Sequence, residues 1–190
     1  MNMSKVNYMI LVNSRNLMDE SFIDTIKLVD APDTNGNVMQ AESETYAAYC
    51  RMRDDLLEKE GIKIGLDSAY RSVQDQRELV ARFTELYGKE YTDAIAATPG
   101  ASEHHTGLAL DIVPWYEPEQ KFLLENDDMF EHAELWPVIH AYLPKYGFIL
   151  RYPKDHGFTY EPWHIRYLGD AKVAQEITDK DLSLEQYLEK

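Results

Sequence analysis

Two short runs of this chain combine histidines with carboxylates at spacings that suit a metal ion: Ser102-Glu103-His104-His105-Thr106-Gly107-Leu108-Ala109-Leu110-Asp111 and Glu161-Pro162-Trp163-His164. A catalytic zinc site takes three protein ligands of the His or carboxylate type and keeps a fourth position open. His104, Asp111 and His164 could supply such a set, with Gly107 placed to turn the His104 loop back over the strand that carries Asp111. Glu161 stands three residues before His164, and on a regular strand the two would point to opposite faces, so a shared site requires a bend, which Pro162 can provide. Left out of the ligand set, Glu161 would be free to act as a general base on water activated by the metal. Arg71 sits where a strand meets a capped helix, a rigid place from which a permanently charged guanidinium can face an oxyanion or a substrate carboxylate.

Taken singly, each of these residues has a plainer reading. A lone histidine is readily a satisfied hydrogen-bonding side chain, Arg71 a surface ion-pair partner and Glu161 a solvated charge. His105, His132, His140 and His156 keep that structural reading, and Trp115, Trp136 and Trp163 read as core or cleft wall, with Trp163 necessarily near any site that Glu161 and His164 form.

The elements that must position these groups follow from periodicity. Val6–Val12 reads as a first strand, and the turn formers from Asp30 to Asn37 separate it from a helix over Ala41–Glu60 that Gly61 stops. Ile62, Ile64 and Leu66 alternate as a half-buried strand, and Ser72 with Asp75 opens a helix that ends at Gly88. Leu108, Leu110 and Ile112 mark a second core strand. Trp115–Glu131 reads as an acidic, irregular excursion over a cleft, and Leu135–Tyr146 as a helix entered through Pro137. Phe148–Tyr152 and Trp163–Leu168 form a strand pair, and Ser183 with Gln186 caps a C-terminal helix over residues 183–190. Strands and helices mix without a strand-helix-strand repeat, which predicts an α+β fold: one compact domain over 1–190 with a central, largely antiparallel sheet flanked by helices.

Composition removes several function classes. With 19 Lys and Arg against 34 Asp and Glu, the net charge of −15 opposes attraction to phosphate backbones, so nucleic acid is excluded as a partner. The longest apolar stretch, Tyr8–Val12, is far short of the about 20 residues a membrane span needs. Cys50 is the only cysteine, so no internal disulfide can form. No secretory leader is visible, which predicts a cytoplasmic protein if the chain is complete and a cell-envelope one if a leader is missing.

The ordered set Ser102-x-His104-x-x-Gly107-x-Ala109-x-Asp111 followed by Glu161-x-Trp163-His164 resembles the paired signature of the VanY-type D-alanyl-D-alanine carboxypeptidases. Ser68-Ala69-Tyr70-Arg71-Ser72 with Gln76, Pro99-Gly100 before Ser102, and Gly147-Phe148-Ile149-Leu150-Arg151-Tyr152-Pro153 are similar to further family segments, so the likeness runs over about residues 11–169. The resemblance implies the hedgehog/DD-peptidase fold, one zinc ion on His104, Asp111 and His164, Glu161 as catalytic base and Arg71 polarising the scissile carbonyl. It also implies that Gln76 and Ser102 contact the substrate's terminal residue, and that Tyr70, Tyr152 and Trp163 line the pocket. The implied partner is a peptidoglycan stem peptide or precursor ending in D-Ala, cut by a monomeric enzyme. L,D-carboxypeptidase, D-Ala-D-Ala dipeptidase and stem-peptide endopeptidase activities use the same motifs, and a non-catalytic zinc-containing peptide-binding module is the alternative of another class. The segment from Lys154 to Tyr160 is shorter than the family's usual connection between its Arg-Tyr-Pro and Glu-Pro-Trp-His segments.

Overall fold

The structure is a computed structural model that describes residues 6–189. In chain order it places a hairpin of β1 (Leu28–Pro32) and β2 (Val38–Glu42), the helix α1 (Ser43–Glu60), strand β3 (Ile64–Ser68), helices α2 (Val73–Tyr87) and α3 (Lys89–Ile95), and strands β4 (Ala109–Tyr116) and β5 (Lys121–Phe122). Then come α4 (Asn126–Glu131), α5 (Trp136–Tyr142), strands β6 (Phe148–Leu150) and β7 (His164–Tyr167), and helices α6 (Ala171–Asp179) and α7 (Leu184–Leu188). The main sheet runs β3-β4-β7-β6 with β5 on β4, and every pairing is antiparallel, as the mixed pattern predicted.

Alternation on β4 divides the molecule into a core side and a site side. Leu110 and Ile112 face the core with Leu66, Ile165 and Phe148, packing on Ala48, Met52 and Leu56 of α1 and on Trp136 and Ile139 of α5. Asp111 points the other way. Burial of each large core side chain contributes roughly 2 kcal/mol, so this face fixes the register and with it the direction of Asp111. A second cluster joins Ile149 and Leu168 to Ala174 and Ile177 of α6 and Leu184 of α7.

The capping signals act as expected. Ser72 and Asp75 form a reciprocal capping box on α2, Ser183 and Gln186 one on α7, and Gly61 ends α1 at φ +69°. Other expectations need correction. Val6–Val12 is not a strand: the carbonyls of Tyr8 and Ile10 accept from the Arg166 guanidinium at 2.9 and 2.8 Å instead of from a neighbouring strand. The turn formers of residues 30–37 close a β-hairpin, where Asp33 accepts from the amides of Asn35 and Asn37. The helix expected from Ala41 starts at Ser43 because β2 occupies Ala41 and Glu42, and the acidic excursion holds β5 and α4. Among the described residues no helix is long and apolar enough to cross a membrane.

Candidate metal centre

Three elements bring the ligand candidates together. The cross-strand register pairs Asp111 on β4 with His164 at the start of β7. A single 3-10 turn over Glu103–Thr106, capped by Ser102, carries His104, and Gly107 at φ +67° reverses the chain into β4. A Cβ on Gly107 would stand 3.2 Å from the backbone nitrogen of Glu42, so the turn needs glycine for space as well as for conformation. His104, Asp111 and His164 then offer ligand atoms all within 4.8 Å of one another.

The two histidines present different nitrogens. His104 Nδ1 donates to the Ala69 carbonyl at 2.7 Å, leaving Nε2 to face Asp111 Oδ2 at 3.2 Å. In His164 it is Nδ1 that faces the site, 3.0 Å from Asp111 Oδ1 and 3.9 Å from Glu161 Oε2. The rings meet edge to face, with centroids 5.0 Å apart. Asp111 Oδ1 is buried and has no hydrogen-bond partner of regular geometry, which leaves its lone pairs available to a cation among the three side chains. The donor set of two imidazoles and a carboxylate fits zinc.

Titration behaviour follows from this convergence in the metal-free protein. Burial would raise Asp111, but His104 and His164 hold its carboxyl well below the usual range. Burial would lower His164, but the Asp111 and Glu103 carboxylates push it up to about 10. Glu161 is raised, chiefly by burial. Its position depends on the predicted bend: Pro162 and Trp163 form a turn in which the His164 amide donates to the Glu161 carbonyl at 3.2 Å.

A cleft of about 520 Å³ opens over these groups. Arg71, Gln76, Ser102, Tyr152, Glu161 and Trp163 all line it. The Arg71 guanidinium donates to Gln76 Oε1 at 2.9 Å and to Ser68 Oγ at 3.0 Å, in the segment where a bulge shifts the β3–β4 register. Gln76 is 1% exposed, and its amide nitrogen donates to the Ala97 carbonyl, so both its polar atoms are engaged within the protein. Ser102 Oγ accepts from the His104 amide at 3.4 Å. The Tyr152 ring packs on His164 at 4.9 Å. Tyr70, expected as pocket wall, is not among the residues that line the cleft; its amide donates to the Gln40 carbonyl of β2, and burial, with Asp75 and Glu20 adding to it, raises its hydroxyl. One cleft wall is apolar, from Leu79 and Phe83 of α2 to Tyr91 and Ile95 of α3, and Leu124 and Phe130 of the acidic excursion also line the cleft.

Sequence reasoning missed three supporting residues. His105 donates from Nδ1 to the Arg71 carbonyl at 2.7 Å and accepts at Nε2 from the Gly100 amide at 3.1 Å, which ties the guanidinium's backbone to the metal loop. His140 donates to the Pro162 carbonyl at 2.9 Å and so holds the turn that carries Glu161. Glu103 is fully buried against two arginines. The contacts reveal these roles, because each residue bonds to at least one group more than 20 residues away in sequence.

The geometry has counterparts in known proteins. The Bacillus subtilis (strain 168) protein YodJ is 40% identical over 143 residues, 72% of this chain and 49% of YodJ, so the chain spans about half the length of that relative. The LdcB LD-carboxypeptidase superposes with a TM-score of 0.78 at 32% identity, over 97% of this chain and 86% of LdcB. The vancomycin-resistance D,D-pentapeptidase VanY of a VanB-type cassette, solved in complex with Zn(II), superposes with a TM-score of 0.72 at 26% identity, over 95% of this chain and 98% of that one. Residues 39–170, which hold the metal cluster, Glu161 and Arg71, match the model of the VanY family of D-alanyl-D-alanine carboxypeptidases, and the chain belongs to that family.

Proposed function

We propose that this protein is a zinc carboxypeptidase that hydrolyses the last peptide bond of a peptidoglycan stem peptide or precursor and releases D-alanine. The observation that carries the proposal is a further carboxylate, Glu161, held 3.9 Å from a ligand candidate but outside the three-residue donor cluster, in a cleft that also holds a guanidinium. A site built only to bind a metal or a peptide has no need of that free base.

His104 Nε2, Asp111 and His164 Nδ1 would hold the zinc. When bound, zinc supplies Lewis acidity, polarising a carbonyl and making water acidic enough to ionise near neutral pH. Glu161 takes a proton from the attacking water as the carbon–oxygen bond forms, and returns it to the amine as the carbon–nitrogen bond breaks. Arg71, fixed by Ser68 and Gln76, donates to the developing oxyanion or to the substrate's terminal carboxylate. Ser102 and Gln76 form the floor against which that terminal residue rests, and Tyr152 and Trp163 its side.

L,D-carboxypeptidase action on a tetrapeptide stem is the second reading, favoured by the likeness to LdcB at a TM-score of 0.78. Mass spectrometry of products from pentapeptide, tetrapeptide and free D-Ala-D-Ala separates the readings. Zinc-dependent release of D-alanine from the pentapeptide, abolished by chelation and by Glu161→Ala in a variant that still binds zinc, is the expected result. Cleavage of the tetrapeptide alone would replace the D,D reading by the L,D one. Tight peptide binding with no product from any of the three would leave a peptide-binding module.

A further inference from the structure

Glu103, between Ser102 and His104, is fully buried, and its two carboxylate oxygens face different partners. Oε1 accepts from Arg151 Nε and Arg166 Nη1, both at 2.8 Å. Oε2 lies 3.6 Å from His164 Nε2, and both of these atoms are buried without a hydrogen-bond partner. The other nitrogen of that ring is the one that faces Asp111 and Glu161. A metal on Nδ1 requires the ring proton on Nε2, where Glu103 Oε2 is the acceptor facing it.

We propose that Glu103 is a positioning residue of the metal centre: it holds His164 in the Nε2–H tautomer and fixes the ring's angle, so that Nδ1 presents its lone pair to zinc. A carboxylate behind a ligating histidine raises the ligand's basicity as well as orienting it. The two arginines hold Glu103 for this task, since two donors on Oε1 keep Oε2 turned toward His164. Each arginine is anchored in turn. Arg151 donates to both oxygens of Glu185 on α7 at 3.0 and 2.7 Å, and Arg166 donates to the Tyr8 and Ile10 carbonyls. The N-terminal segment and α7 are therefore bonded to the same network that aims a metal ligand, which gives the C-terminal helix a role that its distance in sequence from the motifs conceals.

The proposal rests on the ligand set above, and Glu103→Gln tests it with the side chain's size retained. Arg151 and Arg166 claim the single amide oxygen, so the NH2 group falls where Oε2 stood and faces His164 Nε2. Two N–H groups cannot face each other, which drives the ring's proton to Nδ1, the nitrogen zinc needs. The variant should fold, as read by circular dichroism, and bind zinc about 10–100-fold more weakly in chelator competition. In nitrogen-15 spectra of the zinc-loaded wild type, the His164 Nε2–H proton should lie downfield, as expected for a hydrogen bond to a carboxylate, and that shift should be lost in the variant. Glu185→Gln, which loosens Arg151 one step further from His164, should lower the Tm and weaken zinc binding by less than Glu103→Gln does; a larger loss than in Glu103→Gln would overturn the order of the network. If His164→Ala binds zinc as tightly as wild type, the ligand set itself fails. If wild type binds zinc through His164 and Glu103→Gln binds it equally tightly with the Nε2–H signal unmoved, Glu103 has no positioning role. Should Glu103→Gln not fold, the zinc-loaded wild type decides alone, and a His164 Nε2–H signal without the downfield shift overturns the proposal.

Discussion

Gly107→Ala is a single-methyl perturbation that probes how tightly the metal loop is built. Gly107 lies at φ +67°, and the added Cβ would stand 3.2 Å from the Glu42 nitrogen and 3.3 Å from Leu28 Cδ2. The left-handed conformation costs an L-residue roughly 1–2 kcal/mol. The steric contact adds to this, because the Glu42 nitrogen cannot retreat without stretching its own 3.0 Å bond to the Gly107 carbonyl, a bond contributing about 1 kcal/mol. The sum, about 2–3 kcal/mol, corresponds to a fall in Tm of about 5–10 °C for a chain of this size. Calorimetry on the metal-free variant reads the fall directly. The Gly107 amide also closes the His104 turn at 3.2 Å, so zinc should be lost to a chelator more readily than from wild type. An unchanged Tm would refute the reasoning, since it would mean that β2 and the turn can part without cost.

Zinc affinity should depend on pH, because the metal-free His164, raised to about 10, must lose its proton to bind metal. With one proton released, the dissociation constant should fall about 100-fold from pH 6 to pH 8, and a flat profile would show that no ligand carries this proton. The same shift fixes a stability trend. A histidine raised in the folded state stabilises fully below its unfolded value of about 6.5 and loses that contribution as pH rises through about 10, so the Tm of the metal-free protein should fall relative to the zinc-loaded one over that window. Arg71→Lys keeps the charge but cannot reach Ser68 and Gln76 with one planar fork; kcat/KM should drop roughly 100-fold with zinc retained, and near-wild-type kinetics would remove Arg71 from oxyanion or carboxylate binding. His140→Ala frees the Pro162 carbonyl and loosens the Glu161 turn, so turnover should fall more than zinc affinity; the reverse order in kinetics and chelator titration would tie His140 to the ligands instead.

How much of this was legible in sequence depended on whether the signal was local. The caps at Ser72 and Ser183, the stop at Gly61 and the alternation of Leu108–Ile112 are written within a few residues, and the structure follows them. The bend at Pro162 and the turn at Gly107 were equally local, which is why the clustering of His104, Asp111 and His164 could be anticipated. The apolar content of Val6–Val12 suggested a strand, but its carbonyls were already claimed by Arg166, more than 150 residues away. The β1–β2 hairpin was hidden because its strands are short and its turn formers dominate the composition. Helices α3 and α6 escaped notice: α3 is largely exposed, so no apolar stripe marks it, and α6 buries chiefly Ala174 and Ile177. Tyr70 adjoins Arg71 in sequence, yet the chain turns between strand and helix there, and adjacency did not translate into a shared cleft.

Charge explains why metal and guanidinium must act together in this fold. The carboxylates of Asp67, Glu103, Asp111 and Glu161 line the cleft, and Arg71 is the only arginine or lysine among its described lining residues. Arg151 and Arg166 stand close by but are neutralised: they share Glu103, and Arg151 is held further by Glu185. A metal-free cleft is therefore negative, as is the chain as a whole at −15. The effect is felt inside the cleft, where burial and Asp111 together raise the Asp67 carboxyl. Without the metal, Arg71 and the protonated His164 together still do not outweigh the carboxylates that an anionic peptide end would meet there. A divalent cation at His104, Asp111 and His164 cancels most of that charge at the point where the scissile carbonyl must rest. On the proposed function, the metal would then serve substrate binding as well as chemistry. On the proposed function, the metal cluster and Arg71 are then the two positive groups of the cleft that a peptide's anionic end would meet.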